Sequence, residues 1–341
     1  ASAGNTLRLS VEPYGGGVWR GWLDRPLSVA GRVVIRQGDR LVSRLVNIDR
    51  DLLVIPGVAI HMDRSVNKGA ELNPAVDLLP LLGCGKEPGT FRKLIAEAAG
   101  VREEHLLSTE LFLYPRTKAV QTGLNGEFIV SPRLDDLQCV FGCLEGFLAA
   151  KPGGSLPVLA VFNNEEVGSN TRQGADSTFL TDVLERIAHG CGLDSEAWKA
   201  AVANSFMVSA DNAHAIHPAH PEYADKGEFP VLGGGIVIKY NANQRYTTDA
   251  VSGAVFQAIC QEAGVPVQRY SNRADLPGGS TLGNISTAHL SVPTVDIGLP
   301  QLAMHSVCET AGAADTDYLV KAMTAYFSRD FHRDRDGGIV F

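Results

Sequence analysis

No apolar run in the chain approaches the ~20 residues that a membrane-spanning helix requires, so no membrane partner is expected. No charged, apolar, small-residue export signal stands at the start, which is Ala1 rather than Met. No Cys-x-x-Cys pair occurs among Cys84, Cys139, Cys143, Cys191, Cys260 and Cys308, and reduced thiols in a cytoplasmic protein are the expectation. Cys139 and Cys143 are spaced one helical turn apart, as on a buried face. A basic stripe is missing too. Lys and Arg number 30 against 38 Asp and Glu, a net charge of −8, which argues against a nucleic-acid partner. Repeats and low-complexity segments are absent. What remains is a 341-residue chain, 45% hydrophobic and 20% charged, long enough for two domains.

The first part is β-rich. "GRVVIRQGDRLVSRLVNI" (31–48) alternates apolar and polar residues around Gly38-Asp39, a hairpin signal. "LRLSVEP" (7–13), "LLVIP" (52–56), "HLLSTELFLYP" (105–115) and "GEFIVS" (126–131) extend the strand reading, and "GTFRKLIAEAAG" (89–100) reads as a helix stopped by Gly100. After residue 132 the pattern becomes strands alternating with helices. The helix 135–150 is expected to bury Leu137, Val140, Phe141, Leu144, Phe147 and Leu148; a strand 156–162, a helix 177–190 and strands 205–210, 235–241 and 292–298 follow, with helices at 250–264 and near 316–328. The expected fold class is α/β, a mostly parallel sheet sandwiched by helices, with a boundary between a β-rich domain 1–128 and a second domain 129–341.

Three predicted strands leave ionisable groups at their exits. "VFNNEEVGSN" (161–170) brings Glu165 and Glu166, the strand 205–210 runs into Asp211, and His305 follows the strand 292–298; Asp135 opens a helix. Ligands in α/β sheets bind at the carboxyl ends of strands. Each residue has an ordinary reading alone: Asp135 or Asp136 as a helix cap, Asp211 as a turn, the two glutamates as solvated loop, His305 as a structural histidine. Together, carboxylates plus an imidazole suit a catalytic zinc or manganese site. Adjacent glutamates then divide the work: one ligates, and the other accepts a proton from water whose pKa a metal lowers towards ~7.

The stretches "VEPYGGGVW", "VIPGVAIHMDR", "EFIVSPRLDDL", "NNEEVGS", "SADNAHAIHP", "VIKYNANQRY", "GGSTLG" and "PQLAMHS" span most of residues 10–310. In this order they resemble the M18 family of metallo-aminopeptidases, which includes aspartyl aminopeptidase. The resemblance implies a peptide substrate and two Zn2+ ions per active site, with Mn2+ or Co2+ as alternatives. Asp135 would bridge the metals, Asp211 would hold one, Glu166 and His305 the other, and Glu165 would be the general base. Lys239 would face the substrate's first side chain and favour an acidic one. His61 matches a histidine that family members send into a neighbouring subunit's active site; His214 and Tyr246 would line the pocket. The β-rich domain would serve dimerisation, the dimers building a homo-oligomeric dodecamer.

The family also carries a His-x-Asp motif in an N-terminal part of the catalytic domain, whose His ligates the first metal. These 341 residues hold no such segment. The expectation is that it was removed upstream, is supplied by another chain, or leaves the first metal weakly held. Two rival readings stay open: a dinuclear hydrolase of different specificity, and a non-catalytic assembly subunit.

Overall fold

The computed structural model describes residues 2–85, 87, 89–276, 278–336 and 338–341. The chain separates into two compact units, Ala1–Lys118 and Ala119–Phe341. The division falls ahead of the expected 128/129 boundary because Phe128–Ser131 pairs with Glu309–Gly312 deep in the second unit, and Val120–Thr122 pairs with Phe128–Ser131.

The first unit is one antiparallel sheet. Its long strand Pro26–Gln37 pairs with Arg40–Asn47 through the Gly38-Asp39 turn, and along its other edge with Leu106–Pro115. Gly38 has φ +62°, a conformation that glycine adopts without steric cost. Leu27, Val29, Val33 and Ile35 pack against Ile95, Ala96 and Ala99 of the Thr90–Ala98 helix and the residue after it.

The second unit holds two main sheets, besides a short antiparallel pair of His332–Arg333 with Ile339–Val340. In the first, Met207–Ala210 runs parallel to Thr294–Gly298, which is antiparallel to Ile236–Tyr240, which is parallel to Val267–Ser271. The sheet is therefore mixed. Val295, Ile297, Ile236 and Ile238 face a core completed by Phe256 and Ile259 of the helix Ala250–Glu262 and by Leu319 and Met323 of the helix Ala313–Phe327. Side chains alternate across a strand, so Asp296 points to the opposite face, where its carboxylate accepts from Thr281 Oγ1 (2.8 Å) and Thr247 Oγ1 (2.7 Å). The second sheet has the order Ala213–His214, Pro300–Leu302, Glu309–Gly312, Phe128–Ser131, Val120–Thr122. Both sheets are continued by the same chain segments: Asp211 lies between Met207–Ala210 and Ala213–His214, and Leu299 between Thr294–Gly298 and Pro300–Leu302.

Two expectations are corrected. The helix Leu134–Ala149 forms, but the side it buries is Gln138, Cys139, Gly142, Cys143 and Gly146. Leu137, Phe141, Leu144 and Leu148 are 40% to 68% exposed. Small residues win that face because a Cβ at Gly142 would stand 2.6 Å from Leu319 Cδ2, and one at Gly146 2.5 Å from Met323 Cβ. The two helices approach too closely for anything larger. The run 156–162 is extended, yet among the described residues it joins no strand ladder. Leu156, Val158 and Val161 are exposed while Leu159 packs on the core, so the run does not present one apolar face as a strand would. Among the described residues no helix is long and apolar enough to cross a membrane.

Candidate metal centre

Four segments of the second unit deliver the site, and three of them do so through unusual backbone. Arg133 has φ +59°, and Asp135 and Asp136 have non-helical dihedrals before the helix proper begins; the peptide between them is cis. Asn164 (φ +61°) and Ser169 (φ +62°) flank the turn carrying Glu165 and Glu166, closed by Gly168 N–H to Glu165 O at 2.7 Å and Ser169 N–H to Asn164 O at 2.9 Å. Ala303 (φ +56°) and His305 (φ +63°) shape the loop between Pro300–Leu302 and Glu309–Gly312. Left-handed conformations at non-glycine residues cost free energy and persist where surrounding contacts enforce them. Asp211 comes from an ordinary strand end.

These segments place Asp135 at the centre of two clusters. In one, His305 Nε2 lies 3.1 Å from Asp135 Oδ2 and 3.2 Å from Glu166 Oε2. In the other, one oxygen each from Asp135, Asp136 and Asp211 lie within 4.8 Å of one another. Glu165 and Asp211 line a cavity of about 160 Å3, together with His214, Lys239, Tyr246 and His305. The sequence-predicted ligands, base and pocket residues of this unit are thus in one place. His61 is not among them; it is an exposed turn residue of the first unit.

The electrostatics are those of crowded, partly desolvated carboxylates. Burial, reinforced by Asp135 and Glu165, pushes Asp211 up to about 8 despite the nearby Lys239 ammonium. Burial likewise pushes Glu166 up to about 7 against the pull of His305, and raises Glu165, with Asp135 adding to the effect. Burial also works against Asp135, but the hydrogen bonds with His305 and Asp211 outweigh it and hold Asp135 below the usual carboxylate range. His214 is lowered, by burial first and then by Lys239. Tyr246 is pushed up to about 12 by burial, with Asp211 and Asp296 contributing.

The donor set fits a divalent cation. Asp135 Oδ1 is buried and accepts no hydrogen bond, which is costly unless a cation meets it. Oxygen donors with one imidazole and no thiolate match catalytic zinc, and also harder divalent ions. Asp136 is also tied to the pocket floor: its Oδ1 accepts the Asn212 N–H at 3.1 Å. Lys239, 2% exposed, donates from Nζ to Asn212 O at 2.8 Å and stands 3.8 Å from Asp211 Oδ2.

A family model described as aminopeptidase I zinc metalloprotease (M18) matches residues 2–327. The chain belongs to the M18 family. A probable M18 family aminopeptidase 2 of Clostridium acetobutylicum is 45% identical over 333 residues, covering 96% of this chain and 77% of the relative. A protein of the same description from Mycobacterium leprae is 38% identical over 325 residues, 94% of this chain and 76% of that one. Among solved structures, the Ape4 and Nbr1 complex contains a chain matched with a TM-score of 0.90 at 36% identity, over 96% of this chain and 67% of that one. An S. cerevisiae mApe1 dodecamer matches at 0.79 and 27% identity, over 96% and 74%. As an M18 member the chain is a hydrolase of the metallo-aminopeptidase class.

Three residues around this M18 site escaped the sequence reading. Glu309 (2% exposed) accepts the N–H groups of Asp135 and His305, Asn212 ties the pocket floor together, and Thr281 in the pocket wall is held by buried Asp296. Glu309 had a signal: it starts a strand four residues after His305, close enough to reach back into its own hairpin loop.

Proposed function

We propose that the chain is a zinc-dependent aminopeptidase that removes acidic N-terminal residues from peptides at a dinuclear centre. The observation that carries the reading is the convergence of Asp135, His305 and Asp211 with Glu165 and Lys239 in one pocket, and of Glu166 on the Asp135–His305 pair. Asp135, central to both clusters, would bridge two metals, with Glu166 and His305 on one and Asp211 on the other. Bound zinc supplies Lewis acidity for the scissile carbonyl and lowers the pKa of the attacking water. Glu165, half-buried and raised, accepts a proton from that water and returns it to the leaving amine. Lys239 pairs with the acidic side chain of the substrate's first residue, while His214 and Tyr246 wall the pocket. His61, exposed on its own unit, is assigned to the active site of a neighbouring subunit. Residues 1–118 are assigned to subunit pairing in a homo-oligomer, in line with the dodecamer seen for mApe1.

The test strips metal with a chelator, restores zinc, and compares chromogenic aspartyl, glutamyl and leucyl substrates. Zinc-restored turnover with acidic preference supports the reading. Turnover indifferent to chelation, or a strong leucyl preference, refutes the metal or the specificity part respectively.

A further inference from the structure

Glu309 touches neither cavity nor solvent, yet it meets the backbone of two site residues. Its Oε2 accepts the Asp135 N–H at 2.9 Å, and its Oε1 accepts the His305 N–H at 2.7 Å. The first bond crosses 174 residues of sequence. The second closes the loop that joins Pro300–Leu302 to Glu309–Gly312, a loop held in register by Gln301↔Ala311 and Leu302↔Thr310. The two backbones it grips are the irregular ones. His305 sits at φ +63°, and Asp135 sits in the non-helical start of its helix. The side chains of these same residues meet at 3.1 Å, in the pair offered to a metal.

We infer that Glu309 is a positioning residue for the metal centre: one carboxylate, taking one N–H per oxygen, sets the spacing of Asp135 and His305 before any ion arrives. This rests on the metal reading above. A rigid carboxylate is required because each oxygen serves a different segment. In Glu309→Gln one oxygen is replaced by an amide that opposes an N–H with an N–H, so one backbone is released. In Glu309→Asp the charge stays but the reach is shortened by a methylene, so the spacing fails again. Outer partners of metal ligands are worth about 10- to 100-fold in metal affinity.

The experiment uses the metal-stripped 341-residue chain and zinc alone as the probe. Zinc affinity is read by competition with a chromophoric chelator, the ligand geometry by the visible spectrum of the cobalt-substituted chain, and fold integrity by melting temperature. Gly146→Ala, which strains a helix contact away from the metal, is the control for destabilisation. The expected result is a zinc affinity weakened about 10- to 100-fold and an altered cobalt spectrum in both Glu309→Gln and Glu309→Asp, with neither change in Gly146→Ala. Wild-type zinc affinity and spectrum in Glu309→Gln overturn the inference, as does full recovery in Glu309→Asp, which would leave charge alone as the cause. A parent chain that takes up no zinc refutes the metal reading and this inference with it.

Discussion

Replacing Lys239 with Met tests the pocket's charge logic most directly. Methionine keeps the unbranched apolar stem in a 2% exposed position and removes the ammonium. Of the three Nζ donors one goes to Asn212 O at 2.8 Å, and Asp211 Oδ2 stands at 3.8 Å, leaving a donor for the cavity that Lys239 lines. A hydrogen bond to a charged group contributes about 1.5–3 kcal/mol. Converted at 1.36 kcal/mol per decade, its loss lowers kcat/KM for an acidic substrate by about 10- to 150-fold. Losing the ammonium also removes what restrains the upward shift of Asp211 and a like charge beside the cation site, so metal binding changes as well. That second effect is common to all substrates and cancels in a ratio. The assay is therefore kcat/KM for aspartyl over leucyl p-nitroanilide at saturating zinc. The ratio should collapse in Lys239→Met. An unchanged ratio refutes the assignment of Lys239 to the substrate's side chain.

Glu165→Gln should lower kcat by about 10²- to 10⁴-fold, the usual worth of positioned proton transfer, while zinc content by mass spectrometry stays at the parent level; retained turnover contradicts the base assignment. Without metal, Glu166 and Asp211 hold protons up to about 7 and about 8. Their folded-state pKa values exceed the unfolded ones, so the stability they contribute is full below the ordinary carboxylate range, declines as pH rises from there, and is gone once pH has passed 7 to 8. The metal-free melting temperature should fall over that window. Zinc displaces these protons, so its affinity should tighten by about a decade per pH unit for each proton displaced, levelling off above about pH 8; a flat profile by chelator competition speaks against these shifts. Gly146→Ala places a Cβ 2.5 Å from Met323 Cβ and 2.9 Å from Thr324 N. Overpacking of about 1–3 kcal/mol should outweigh the roughly 1 kcal/mol gained in helix propensity, and a urea midpoint above the parent's would show that the helices can part.

Asp135, Glu165, Glu166, Asp211 and His305 were legible because each follows an apolar run or opens a helix, features visible in apolar patterning, and because the stretches around them resemble M18 motifs. The helix face was not. Counting large apolar residues points to Leu137, Phe141, Leu144 and Leu148, but the helix Ala313–Phe327 packs against glycines and cysteines, since close approach selects for small residues. The run 156–162 read as a strand because it is a short, continuous apolar stretch; a ladder also needs a neighbouring backbone, which a single segment's pattern does not disclose. Glu309 and Asp296 were out of reach for a similar reason, as buried acids look like surface acids until the donors around them are known. His61, an exposed turn residue of the first unit, is read from the resemblance alone.

Asn212 couples several parts of the second unit. Its N–H goes to Asp136, its carbonyl receives Lys239, its Oδ1 receives Cys139 Sγ at 2.9 Å, and its Nδ2 donates to Gln301 Oε1 at 2.7 Å. A floor bolted at so many points does not yield to piecemeal change: exchanging the lysine alone disturbs a helix, two strands and an acid at once. Gly279 and Ser280 line the same cavity without a bond to that floor, and changes of substrate preference introduced there disturb the chemistry less.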